Sequence, residues 1–325
     1  MRSPGGAADL RDRIASVDFS KCAAMVVGHG NMGRQFVLAL QRLGVSSIRV
    51  CTRGDKGLSG YEQWEGEALP GEAVILALPI EHLVAAGMFF AKRGFRRMLI
   101  EKPVSLWASE IERLGEFLEV HNVVAVCGYN RVAYPAFAEV RARTVSEGGI
   151  TSCNYAFTEM VSRIRTQNFQ QAELERWGIA NSLHVMSMAH GLIGMAENWH
   201  GTRSGNAVSW HPAGSVFVGS GMTDQAVPFT YQADWGSTGR WWVEINTPVS
   251  GYRLCPLEEV RRRAASMGEW ELIPVDSFAP EVKAGFVEQV AALLHDGVRE
   301  IVPTVSVRRA FELARFAEQV MGYTT

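Results

Sequence analysis

Ala23-Ala24-Met25-Val26-Val27 runs directly into Gly28-His29-Gly30-Asn31-Met32-Gly33. The unbroken apolar run has the pattern of a buried strand. Beyond the glycines, Met32, Phe36, Val37 and Leu40 recur at i, i+4, i+5 and i+8, one face of a helix, and Gly44 is placed to stop it. The spacing of Gly28, Gly30 and Gly33 is that of a dinucleotide loop. The first glycine permits a tight turn, the second lets backbone approach a pyrophosphate, and the third lets helix and strand pack closely. The helix start, with Asn31 and Met32, then offers free N–H groups and a positive dipole end to phosphate. With 32 glycines in 325 residues, the spacing alone is weak evidence, so its context carries the argument.

That context repeats the unit. Ile48–Cys51 reads as a second strand, Ala73–Leu78 as a third ending at Pro79, Met98–Ile100 as a fourth and Val123–Cys127 as a fifth. Helical patterns at Glu81–Arg93 and Ser109–Val120 separate the later ones. Strand, helix, strand in this rhythm implies a parallel, doubly wound Rossmann sheet. The rhythm changes after Arg131. Pro135–Thr144 is helical, and Ile150–Met160 alternates as a half-exposed strand. Four strand-like runs between Ser215 and Leu254 suggest an antiparallel meander. Pro280–His295 and Val307–Met321 read as closing helices, with Val282, Phe286, Val290 and Leu293 on one face of the first. The change of pattern divides the chain into a dinucleotide-binding part over 1–131 and a second part over 132–325.

Two loops follow strand ends, where a parallel sheet delivers residues to a ligand crevice. At the end of the second strand an acid would accept ribose hydroxyls. The chain instead has Thr52 and Arg53, a hydroxyl and a guanidinium suited to a 2′-phosphate, which favours NADP over NAD. The alternative is that Arg53 covers the adenine face or points to solvent. After the fourth strand comes Glu101-Lys102-Pro103. A lysine fixed in direction by the following proline, beside a cationic ring, can exchange a proton with a hydroxyl or carbonyl. An exposed Lys–Glu pair is the other reading of these residues.

Composition narrows the classes. Lys plus Arg total 32 against 34 Asp plus Glu, a formal charge of −2, which argues against a nucleic-acid protein. The uncharged stretch 178–196 holds Asn181, Ser182, His184, Ser187 and His190, which hydrocarbon tolerates poorly, and the N-terminus lacks the apolar region of a signal peptide. Cys22, Cys51, Cys127, Cys153 and Cys255 are odd in number and widely spaced, so neither a disulfide framework nor a metal site is expected; a reducing cytoplasm is.

Taken together, these residues resemble the Gfo/Idh/MocA oxidoreductases, which include glucose-fructose oxidoreductase and inositol dehydrogenase. The resemblance rests on five pieces in order: Val26–Gly33, Pro79-Ile80-Glu81-His82, Glu101-Lys102-Pro103, Gly128-Tyr129-Asn130-Arg131 with Tyr134-Pro135, and Ser182–Ser187. The segments Gly239–Thr247 and Arg253–Val260 look like a subgroup from surface-polysaccharide and sugar-nucleotide pathways. The resemblance implies a Rossmann domain over 1–131 and, over 132–325, a substrate-binding and oligomerisation α/β domain with an open, mostly antiparallel sheet. It implies hydride transfer between nicotinamide and a sugar carbon, and a homo-oligomer, dimer or tetramer, formed through the C-terminal sheet. It implies that Leu78, Pro79, His82, Glu101, Lys102 and Asn130 join the glycine loop in holding the cofactor. Lys102 is then the proton relay and His184 the histidine facing the substrate, with Arg131, Tyr134, Arg165, Trp177 and Asn181 as further substrate residues. His190 reads as a packing histidine. Arg163 and Arg165 suit either a substrate phosphate or a solvated loop. Most of the late tryptophans suit a sheet face or subunit interface, Trp177 excepted.

The chain departs from the pattern at Ala180 and Ser187, where the family often carries aspartates beside the histidine. His184 is then expected to lean on Asn181 or to bind substrate only. Two rival readings follow: an epimerase or hydrolase that oxidises transiently and keeps its cofactor, and a redox-inactive NADP-binding regulator.

Overall fold

A computed structural model describes residues 5–52, 60–264 and 268–324. The chain forms two compact units. One comprises Ala8–Tyr134 and Ser277–Phe311; the other comprises Met1–Ala7, Pro135–Asp276 and Glu312–Thr325. After Ala8, the chain first passes from one unit to the other between Tyr134 and Pro135. The return of Ser277–Phe311 differs from a division into 1–131 and 132–325. Its physical cause is core completion. Phe286 stacks on Phe36 with ring centroids 4.4 Å apart, and the Cys127 N–H donates to the Val305 carbonyl at 2.7 Å.

The first unit is built on β1 (Ala23–Val27), β2 (Ser47–Cys51), β3 (Ala73–Leu76), β4 (Arg97–Ile100) and β5 (Val124–Cys127). All neighbouring pairs are parallel, in the order β2-β1-β3-β4-β5. β1, β3 and β4 are almost wholly buried, as their continuous apolar runs require, whereas the edge strand β2 is only half-buried. The helices Asn31–Arg42, Ile80–Lys92 and Ala108–Val120 make the crossovers; the first buries Phe36, Ala39 and Leu40. Strand order reverses between β1 and β3, which opens the crevice at the carboxyl ends of those strands.

The second unit carries β6 (Ser152–Phe157), β7 (Ala196–Ser204), β8 (Val216–Thr223), β9 (Pro228–Asp234), β10 (Trp241–Asn246), β11 (Gly251–Leu254), β12 (Val260–Arg263) and β13 (Glu271–Ile273). Their order is β13-β12-β11-β10-β6-β9-β8-β7. The expected meander exists in two halves, β7 to β9 and β10 to β13. β6 joins them, parallel to β9 and antiparallel to β10. β7 escapes the sequence pattern because most of it is exposed and polar, with no alternation to read. β9 alternates cleanly: Phe229, Tyr231 and Ala233 face the core and Thr230, Gln232 and Asp234 face outward. The closing helix begins later than Pro280 because Gly285, with φ +80°, turns the chain immediately before Phe286–Leu294. Among the described residues no helix is long and apolar enough to cross a membrane. The uncharged stretch is instead a buried helix, Leu183–Ile193, entered through a π-turn at Gly178–Ser182.

Candidate functional site

The glycine loop is shaped by close backbone approach. Gly28 has φ +92°, and a Cβ there would lie 2.3 Å from the Ala77 carbonyl oxygen; a Cβ on Gly33 would lie 2.0 Å from the Gly28 carbonyl oxygen. A Cβ on Gly30 would meet nothing within 4 Å. The first and third glycines are therefore required by the protein's own packing, whereas the second fronts open space. Gly30 begins the helix Asn31–Arg42 without a side-chain cap, and the first turn contains no acid. An uncapped, acid-free helix start behind an open glycine is fitted to an anion. The residues present therefore suit a dinucleotide.

The strand ends form one continuous row. Gly28 N–H donates to the Cys51 carbonyl at 2.9 Å, Ala77 to Val27 at 2.8 Å, Glu101 to Leu76 at 3.0 Å and Gly128 to Ile100 at 2.7 Å. Each loop after β1, β3, β4 and β5 is thus tied to its neighbour. β1 and β4 are two strand spacings apart, about 10 Å, so a ligand serving both loops is extended.

Glu101 is buried and its carboxylate accepts the Lys102 N–H at 3.0 Å. Burial raises its pKa, while the ammonium groups of Lys102 and Lys283 and the Lys102 N–H pull it back. Lys102 is half-buried, and its peptide bond to Pro103 is cis. Gly128 lets this loop lie flat, since a Cβ there would be 3.0 Å from the Glu101 Cα.

The other expected first-unit residues fall as follows. Leu78 is half-buried and Pro79 exposed, immediately after β3; Pro79 accepts the His82 N–H at 3.0 Å, starting the next helix with the His82 ring half-buried. Thr52 is exposed at the end of β2; Arg53 lies outside the described residues. Asn130 is buried, with its side-chain N–H₂ donating to the Ala284 carbonyl at 2.9 Å and approaching the Tyr134 hydroxyl at 3.5 Å. That side chain anchors the returning segment, and Tyr134 is buried behind it. Arg131 is half-buried and close enough to Lys283 to lower the pKa of that lysine.

In the second unit His184 is buried on the helix Leu183–Ile193, with its ring 6.1 Å from that of Trp241. Asn181 donates to Glu159 Oε2 at 3.0 Å and Ser182 to Glu159 Oε1 at 2.6 Å. The side-chain amide of Asn181, expected to support His184, thus holds this buried carboxylate. Ser187 donates to the His184 carbonyl at 3.0 Å. Trp177 is buried edge-on to Phe169 and Trp210, and its Nε1 has no hydrogen-bond partner among the described residues. Arg163 is exposed in one short 3₁₀ turn and Arg165 is exposed immediately before another. His190 is a packing residue: Nδ1 lies 2.8 Å from the Gly194 carbonyl and Nε2 3.2 Å from the Tyr155 hydroxyl.

Three residues were not legible in the sequence. Lys283 reaches the glycine loop from the returning segment, Glu159 closes on the turn before His184, and Glu288 is buried in the first turn of the return helix Phe286–Leu294. Each acts through a partner distant in sequence or through burial, and none lies in a local motif.

No protein-family model matches the chain, and no curated protein matches it. Solved structures do. An inositol dehydrogenase homologue from Azotobacter vinelandii, complexed with NAD+, aligns with TM-score 0.73 at 12% identity over 94% of this chain and 95% of that one. A levoglucosan dehydrogenase in complex with NADH and levoglucosan gives 0.67 at 14%, over 93% and 96%. UDP-N-acetylglucosamine 3-dehydrogenase from Acidithiobacillus ferrooxidans gives 0.67 at 12%, over 93% and 97%. Identity this low speaks for backbone architecture, and in architecture the chain shares the fold of these dehydrogenases.

Proposed function

We propose that this chain is an NAD(P)-dependent oxidoreductase of the Gfo/Idh/MocA type, acting on a secondary alcohol or ketone of a sugar or sugar nucleotide. The observation that carries this reading is Lys102, half-buried at the carboxyl end of β4, in the same row of strand ends as an open, uncapped glycine loop. Structures of the same fold complexed with NAD+, with NADH and myo-inositol, and with NADH and levoglucosan support it. NADP is favoured over NAD on the pair Thr52 and Arg53. The open face of the eight-stranded sheet, where Val218 and Met222 are 43% and 40% exposed, is the proposed contact between copies in a homo-oligomer.

The nicotinamide, when bound, supplies or takes the hydride. The glycine loop holds phosphate through N–H groups at 31–33 and the helix dipole. Lys102 takes the hydroxyl proton as an alcohol becomes a ketone, and returns it to the oxygen in the reverse direction. The buried Glu101, locked onto the Lys102 N–H, sets the direction of that side chain. His184 is assigned to substrate hydroxyls as donor or acceptor through its ring nitrogens, and Asn181 as acceptor through its Oδ1, its N–H₂ being held by Glu159.

Lys102→Ala tests the reading. Turnover on a responsive sugar at saturating cofactor should fall by about 10²–10⁴-fold, far more than the Kd for NADPH or NADH rises. Turnover near that of the unaltered chain removes Lys102 from the reaction. Cofactor binding without turnover across a broad sugar panel would favour the regulatory reading instead.

A further inference from the structure

The returning segment brings a second lysine to the glycine loop. Lys283 Nζ lies 3.3 Å from Met32 Sδ, in the first turn of the helix that follows the loop. The placement is anchored on both sides. Lys283 N–H donates to Gln35 Oε1, 2.7 Å away, on the same helix. Ala284 accepts from the Asn130 side chain at 2.9 Å, and Gly285 sits so close that a Cβ would be 2.2 Å from the Asn130 carbonyl oxygen.

The ammonium has three donors, yet among the described residues its one hydrogen-bond contact is a thioether, a weak acceptor. The Phe286 ring lies 5.3 Å away, and no carboxylate pairs with Nζ among the described residues. Glu101 favours the charge from a distance, Arg131 opposes it, and surrounding protein desolvates it enough to lower its pKa. Lys283 is nevertheless exposed. A cation held at an uncapped, acid-free helix start, with its hydrogen-bonding capacity unfilled, is matched to an anion delivered from solution.

We propose that Lys283 is a cofactor-positioning residue that clamps the diphosphate of the dinucleotide against the glycine loop. This rests on the functional reading above. It adds a residue from the far end of the chain to the phosphate site, so that cofactor affinity depends on the returning segment as well as on the loop.

The test measures Kd by fluorescence titration for NADPH, NADH, ADP-ribose and adenosine, with the unaltered chain, Lys283→Met and Lys283→Arg. Met keeps the length and apolar stem and removes the charge. Loss of one charge-assisted contact should weaken both dinucleotides and ADP-ribose by roughly 10–100-fold. Adenosine, which lacks the diphosphate, should change by less than twofold, Arg should restore most of the affinity, and melting temperatures should agree within about 2 °C because Lys283 is exposed. Unchanged ADP-ribose affinity in Lys283→Met overturns the assignment, and so does an equal loss for adenosine. If the unaltered chain binds none of the dinucleotides, the oxidoreductase reading itself fails and this assignment falls with it.

Discussion

At the scale of single residues, the glycine loop separates structural need from ligand need. Gly28 is required by the fold, because its φ is +92° and a Cβ would press on the Ala77 carbonyl; Gly30 is not, because its surroundings are open. Gly28→Ala should therefore destabilise the protein by about 1–3 kcal/mol from backbone strain, with overpacking adding a similar amount. Gly30→Ala should leave the melting temperature nearly unchanged and weaken NADPH or NADH binding at least tenfold, since its methyl enters the space left for phosphate. Thermal unfolding alongside a cofactor titration separates the two. The spacing of these glycines could be read directly, because each acts within a few residues of its neighbours. Lys283 could not, because its partners Met32 and Gln35 are brought to it only by folding.

At the scale of elements, the return helix Phe286–Leu294 carries a titrating liability. Glu288, in its first turn, is 3% exposed, and burial pushes its carboxyl up to about 7, although the Gly285 and Glu288 N–H groups oppose the shift. An unfolded chain ionises this group near its ordinary value of 4.5. Between those two pH values the folded form keeps the proton and the unfolded form has lost it. Stability therefore falls as pH rises through that window, and the cost, about 3 kcal/mol, is complete above pH 7. Glu288→Gln should raise the melting temperature by several degrees at pH 8 and scarcely change it at pH 4.5. A gain of equal size at both pH values would show that the carboxyl does not titrate in this range. The helix itself was legible from the spacing of Val282, Phe286, Val290 and Leu293, all buried. Its first residue was not, because Gly285 adopts a left-handed conformation against Asn130.

At the scale of the whole molecule, long-range ties hold the turn before His184. Arg176 pairs with Glu318 at 2.5 Å, their side chains 9% and 7% exposed, and its other terminal nitrogen donates to the Thr324 carbonyl at 3.0 Å. The Tyr323 hydroxyl accepts the Gly178 N–H at 2.9 Å and lies 2.7 Å from His211 Nε2. The C-terminal residues thus brace the π-turn that leads to His184. Removing one partner of a buried pair leaves an uncompensated charge, so Arg176→Met should cost about 3–5 kcal/mol in chemical denaturation, and adding Glu318→Gln should recover part of it. Additive losses in the double variant would show that the two side chains act independently.

The parallel sheet, its crossover helices and the glycine and lysine loops were determined by the sequence alone. Their signals, apolar periodicity and fixed glycine spacing, arise within one strand–helix unit. Tertiary structure decided the rest: that Ser277–Phe311 completes the first unit's core, that β6 splits the meander, and that Asn181 holds Glu159. Those outcomes depend on which distant surfaces bury best against one another, and a pairing energy between remote segments leaves no periodicity in either of them.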